Sequence, residues 1–138
     1  MSDPQVYERT RIVRADDIDH LGHVNNVVWL RFVVELAEAH ARAAGGNEMV
    51  REARAVWIVR RHELDYHGNA ATGDELREQT WLESMKGARS VRASRFTSAG
   101  GDVLVEARTQ WAFVDASSFR PRRIPREMLD AFAPPRSV

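Results

Sequence analysis

The chain has no cysteine, which excludes disulfides, thiolate nucleophiles and cysteine-based zinc sites together. It also has no net charge, because 20 Lys and Arg offset 20 Asp and Glu. A neutral overall field gives no reason to expect nucleic acid or a membrane surface as partner. Long apolar runs are missing: the longest are a few residues, far short of the ~20 that a spanning helix needs. The start, Met1-Ser2-Asp3-Pro4-Gln5, lacks the basic and apolar regions of a secretory signal, so a cytoplasmic protein is expected. No Gly-x-Ser-x-Gly elbow, Gly-x-Gly-x-x-Gly loop or Walker pattern occurs. Serine-triad hydrolysis, nucleotide binding and the redox chemistry that rides on nucleotide cofactors lose support, and no cofactor is expected.

What is present suits one domain over 1–138. With 138 residues, 43% of them apolar and 29% charged, the chain can bury a core without covalent staples. Residues 6–14 carry β-branched and aromatic side chains in rough alternation and read as a first strand. From Asn25 or Asn26 to Ala44 the spacing turns helical, with Val27, Leu30, Val34, Ala37 and Ala41 on one face. Arg31, Glu35, Glu38 and Arg42 mostly take the other side, and Gly45-Gly46 ends the helix. A polar loop over 47–54 leads to strand patterns at 55–66, 75–85, 90–97 and 103–114, with Gly and Asn chemistry in the breaks. A short amphipathic piece, 126–132, precedes a Pro-rich end. The order is strand, long helix, four strands in a meander and a short terminal helix. That is α+β, an antiparallel sheet with one helix against it. One helix cannot cover both faces of such a sheet, so oligomerisation is expected.

The junction of first strand and helix concentrates the chemistry. Asp16-Asp17-Ile18-Asp19-His20-Leu21-Gly22-His23-Val24-Asn25-Asn26 places three carboxylates and two imidazoles within eight residues. Asp16 and Asp17 suit a solvated turn before a helix. Asp19 lies several residues before the helix start, where peptide N–H groups carry partial positive charge. A carboxylate there can attack, or activate water against, an acyl group whose oxygen those N–H groups hold. His20-x-x-His23 with Asp19 can also be read as part of a metal cluster, with His62 and His67 as further ligands. Zinc sites need at least three well-placed protein ligands and the chain offers no clear further ligand elsewhere, so no metal is expected. His23 is open between packing and catalysis. Asn25 and Asn26 are natural helix caps, and the unpaired N–H groups beside them can form an oxyanion hole.

These residues resemble the signature of hotdog-fold acyl thioesterases. Asp17-Ile-Asp19-His-Leu-Gly22-His23-Val-Asn25-Asn26, followed by Trp29 and a long helix, is similar to the pattern of the 4-hydroxybenzoyl-CoA thioesterase and YbgC-like group and of the plant acyl-ACP thioesterases. Leu64-Asp65-Tyr66 and Thr72-Gly73-Asp74-Glu75-Leu76 also look like that family's second-strand exit and Gly-Asp turn. The resemblance implies a hotdog fold, a long central helix wrapped by a five-stranded antiparallel sheet, with a short C-terminal helix in this chain. It implies Asp19 as the catalytic carboxylate, His23 as the histidine that the plant branch assigns a catalytic role, and the Asn26 N–H as the group polarising the thioester carbonyl. It further implies a homodimer or a dimer of dimers. Leu21 stands where the plant enzymes carry an asparagine, and Asn69 where they carry a glutamate, which favours the bacterial acyl-CoA branch.

The expected activity is hydrolysis of an acyl-CoA, or acyl-ACP, thioester to acid and thiol. Gly22 and Asn25 belong to the expected substrate-binding set, with Trp29 and Trp57 as pocket walls or plain core. Arg60, Arg61, Arg89 and Arg92 are candidates for the CoA phosphates, set against a solvated-strand role for each. The alternative is a non-catalytic acyl-thioester-binding or assembly subunit on the same fold. A hotdog dehydratase is a third, weaker option, because its Asp-x-Asn-Pro-x-His stretch is absent.

Overall fold

The computed structural model describes residues 6–133, so the Met1–Gln5 start and the Pro-rich end lie outside the described residues. The first strand, β1 (Tyr7–Ile12), runs into a 3-10 turn (Ala15–Asp17) and then the long helix α1 (Asn26–Ala43). A second helix, α2 (Gly46–Ala53), follows directly. Strands β2 (Ala55–Tyr66), β3 (Glu75–Lys86), β4 (Arg89–Ser98) and β5 (Val103–Asp115) come next, and α3 (Arg126–Ala131) closes the order. All strand pairings are antiparallel, in one five-stranded sheet with order β1-β3-β4-β5-β2. This is the α+β hotdog arrangement that the junction motif implies.

Three expectations need correction. The four later strands are not one meander. Only β3-β4-β5 is; β2 crosses to the far edge and pairs with β5 over its whole length. Alternation within a strand reports which face is buried, not which neighbour it pairs with. The stretch 47–54 is not a loop, since most of it lies in α2. Its polar composition reflects a short helix with one covered side, half-burying Met49, Val50 and Ala53 against the sheet and α3. The two glycines before it have separate tasks. Gly45 adopts a left-handed φ of +78° that ends α1, and a side chain on Gly46 would meet the Phe132 ring of the α3 end at 2.9 Å.

The third correction concerns α1. Its buried stripe is Trp29, Phe32, Val33, Leu36, Ala37 and His40, whereas Val27 is 73% exposed and Leu30 and Val34 are half-buried. Apolar residues occur on two adjacent faces of this helix, and the sheet selects the face with the larger rings. Trp29, Phe32, Val33 and Leu36 pack with Val13, Val24, Leu76, Phe96, Val105 and Ala107 in one core cluster. A second cluster, with Phe113, Leu82, Ile124, Met128 and Phe132, lies under α2 and α3. Among the described residues no helix is long and apolar enough to cross a membrane.

Candidate active site

The junction motif folds as a compact hairpin-like loop whose two arms are tied together. Ile18 and Val24 form an antiparallel bridge, and the Asp19 N–H donates to the His23 carbonyl at 3.0 Å. The Gly22 N–H returns to the Asp19 carbonyl at 3.0 Å, and Gly22 turns the chain with a φ of +81°. A residue with a Cβ is disfavoured in that conformation, which accounts for glycine at this position. The loop is anchored from outside as well. The Val24 N–H donates to Ala70 O, and the Asn25 N–H to Asp17 O at 3.2 Å.

Asp19 and His23 therefore leave adjacent backbones at the mouth of this loop. The Asp19 Oδ1 accepts from the Leu21 N–H at 2.9 Å, an Asx turn that orients the carboxylate. Its Oδ2 has no partner among the described residues, and the side chain is half-exposed. His20 and His23 are both exposed.

The helix start supplies the complementary charge. Asn25 caps α1: its Oδ1 accepts from the Val27 N–H at 2.9 Å, and its carbonyl from Val28 and Trp29. That leaves the Asn26 N–H without a partner among the described residues, one unspent donor at the positive end of an 18-residue helix. The Tyr66 hydroxyl donates to the Asn26 carbonyl at 3.3 Å, so the exit of β2 rests on the same residue.

Asp17 plays a structural part that its place in a polar turn does not announce. It is buried, with Oδ2 accepting from the Arg14 N–H and Oδ1 from Arg31 of α1. Arg31 also faces Glu35, which pairs with Arg11 at 2.9 Å. Arg11 and Arg9 both bind Glu78, whose side chain is fully buried. A chain of ion pairs thus runs from β3 through β1 to α1 and into the motif loop. Arg31 and Glu35 are legible only as polar-face helix residues, and Glu78 has no signature in the sequence. Pairing β1 with β3 is what aligns Arg9 opposite Glu78.

The remaining candidates separate widely. Trp29 is core, fully buried, with its Nε1–H donating to Asn69 Oδ1 at 3.3 Å. Arg60, Arg61 and Arg89 are exposed, and Arg61 pairs with Glu63. Arg92 is not a surface residue and cannot meet a CoA phosphate there. It is 6% exposed beneath α1, donating from Nη1 to His40 Nδ1 at 2.8 Å and to Thr80 Oγ1 at 3.1 Å. Burial lowers its guanidinium to about 10; burial and the Arg92 charge together lower His40 to about 4. Trp57 lines a cavity near this pair, at the opposite end of α1 from the motif. Closer to the motif than any of the predicted arginines, Arg11, Arg14 and Arg31 line a polar recess with Asp16, Asp17 and Glu35. His62 hydrogen-bonds Thr109 Oγ1 at 2.9 Å and His67 faces Glu106 at 3.2 Å. Among the described residues no three His, Asp or Glu gather to hold a metal ion.

Comparison with known proteins agrees with this fold. Residues 4–132 match the family profile described as the acyl-ACP thioesterase N-terminal domain. The curated acyl-CoA thioester hydrolase YbgC of Escherichia coli O6:H1 is 30% identical over 79 residues, which is 57% of this chain and 59% of that protein. The match therefore spans only about three fifths of that relative's length. A 1,4-dihydroxy-2-naphthoyl-CoA thioesterase from Synechocystis superposes with a TM-score of 0.83 at 16% identity, covering 92% of this chain and 95% of that one. A Staphylococcus aureus protein solved in complex with CoA gives a TM-score of 0.85 at 11% identity, covering 100% of this chain and 90% of that one.

Proposed function

Because the chain belongs to the acyl-ACP thioesterase family, we propose that it hydrolyses an acyl thioester, of CoA or of an acyl carrier protein, to a free acid and a thiol. One observation carries this: the unspent Asn26 N–H at the start of α1, next to a loop that holds the Asp19 carboxylate with one oxygen free. The thioester carbonyl oxygen accepts from Asn26, where the helix end stabilises the negative charge that develops on it. Asp19 then acts on the carbonyl carbon, directly or through a water that it deprotonates. By either route water supplies the hydroxyl of the acid, the carbon–sulfur bond breaks, and the thiolate takes a proton. We assign that proton to His23, an assignment supported by the backbone bond that ties it to Asp19.

Coenzyme A is favoured as the thiol by the YbgC relative, an acyl-CoA thioester hydrolase, and by the CoA complex of the Staphylococcus protein. Arg14 and Arg31, beside the motif, are better placed for its phosphates than Arg60, Arg61 or Arg89. The acting form is a dimer or a dimer of dimers. The free outer edge of β2 and the exposed apolar side chains Ile12 (55%), Leu21 (70%) and Val27 (73%) around the site support that state.

The test is thiol release from a panel of acyl-CoAs of varied length and shape, with Asp19→Asn as control. Release by the wild type and its loss in the variant are expected. Tight binding of acyl-CoA with no release across the panel would favour a non-catalytic binder and end the hydrolase assignment.

A further inference from the structure

The far end of α1 holds a feature that thioester hydrolysis does not use. A cavity of about 270 Å³ lies between α1, α2, the α3 end and the sheet, walled by Ala41, Val50, Trp57, Leu82, Trp111 and Phe132 together with Arg92. From Asn26 to Ala37, the first α1 residue of its wall, the helix rises about 16 Å at ~1.5 Å per residue. The turns between bury Trp29, Phe32, Val33 and Leu36 in a packed core, and none of these four lines the cavity. No residue of the junction motif lines it either.

Arg92 is the unusual member of the wall. The other deeply buried charges are matched: Glu78 binds Arg9 and Arg11, and Asp17 binds Arg31. Arg92 makes no ion pair among the described residues. Its Nη1 is occupied by two neutral acceptors, His40 and Thr80, while Nε and Nη2 have no partner among the described residues. Glu38, the acid of the wall, is exposed and does not pair with it. A buried guanidinium without a counter-charge is costly, and the free Nε–Nη2 edge has the fork spacing that matches a planar carboxylate. One carboxylate neutralises one guanidinium, whereas a phosphate dianion would leave an unpaired negative charge against an apolar wall.

We propose that this cavity is a second ligand site, separate from the reaction site, that takes an aliphatic carboxylate with its carboxyl on Arg92 and its chain against the apolar wall. At about 30 Å³ per water-sized group the space holds roughly nine such groups, the size of a medium-chain acid. The site stands whether or not the thioester assignment does.

The experiment titrates the full chain with decanoate, decanol and decylamine, read by calorimetry and by the fluorescence of Trp57 and Trp111. Decanoate is expected to bind at least tenfold more tightly than decanol, with decylamine weakest. Arg92→Met, similar in length and uncharged, should remove that preference and leave decanol binding unchanged. Should Arg92→Met fail to fold, Val50→Phe keeps the guanidinium and fills the cavity, and is expected to abolish decanoate binding. Asp19→Asn should bind decanoate like the wild type. Equal affinities for decanoate and decanol, decanoate binding untouched by Arg92→Met or Val50→Phe, or its loss in Asp19→Asn would each overturn the proposal. A KM increase in Arg92→Met confined to an ω-carboxydecanoyl-CoA, with free decanoate unbound by the wild type, would put the carboxylate on the thioester itself and overturn the separate site.

Discussion

The two ends of α1 follow opposite electrostatic plans. At the N-terminal end the charges are balanced before any ligand arrives. Asp17 is met by Arg31, Arg31 and Arg11 by Glu35, and Arg11 by Glu78. Asp19 takes no part in that ion-pair chain; its Oδ2 and the Asn26 N–H at the helix start both lack a partner among the described residues. At the C-terminal end a buried cation leans on a neutral imidazole and a hydroxyl. The first end is a frame of ion pairs around a carboxylate that stays outside it. The second is a frame lacking one charge. The same helix thus presents an unspent N–H at one end, where we propose the chemical step, and an unpaired buried cation at the other.

The largest expected effect breaks the first end. Asp19→Asn should lower thioester turnover by about 10²–10⁴-fold, the range typical for losing a positioned acid–base group, with an unchanged thermal midpoint. Steady-state thiol release beside a melting curve checks both halves.

Next in size is a pH effect at the other end. His40 has its folded pKa lowered to about 4 from 6.5, so between those values the unfolded chain binds the extra proton. Stability is then complete above about pH 6.5 and drains as pH falls toward 4, by on the order of 3 kcal/mol if fully expressed. His62, also lowered by burial, adds in the same direction. Urea unfolding at pH 7 and pH 4.5 should show the loss, and His40→Gln should flatten it.

Asp17→Ala removes the acceptor of Arg31 and of the Arg14 N–H from a buried position, and should cost about 1–3 kcal/mol. Because Asp17 anchors the loop that carries Asp19, kcat should fall as well, which separates a positioning role from a purely structural one. Asn25→Ala is the smallest change. Losing the cap should cost about 1 kcal/mol by thermal unfolding, with a modest loss of activity as the first turn of α1 frays.

Much of the candidate site's backbone geometry is legible in the chain because it is local. An Asx turn at Asp19, a left-handed glycine at 22 and an asparagine cap at 25 are each completed within a few residues, so residue type and spacing carry them. The ordinary hydrogen-bond chemistry of Asp17 was visible too, but its burial was not, since that depends on Arg31 being brought over it by α1. The buried stripe of α1 departs from the spacing-based expectation for a related reason. Two apolar faces were present, and only the sheet could choose between them.

By itself the sequence determined the strand and helix periods, the junction motif and the helix cap, because these follow from contacts within a turn or two of chain. Only the tertiary structure decided that β2 lies beside β5, that Glu78 is buried between two arginines, and that Arg92 meets His40 across 52 positions of sequence. Strand order and buried charge pairs are long-range. They arise from which sheet edge a strand can reach and which charges the packed core can neutralise, and neither is written in any one stretch of residues.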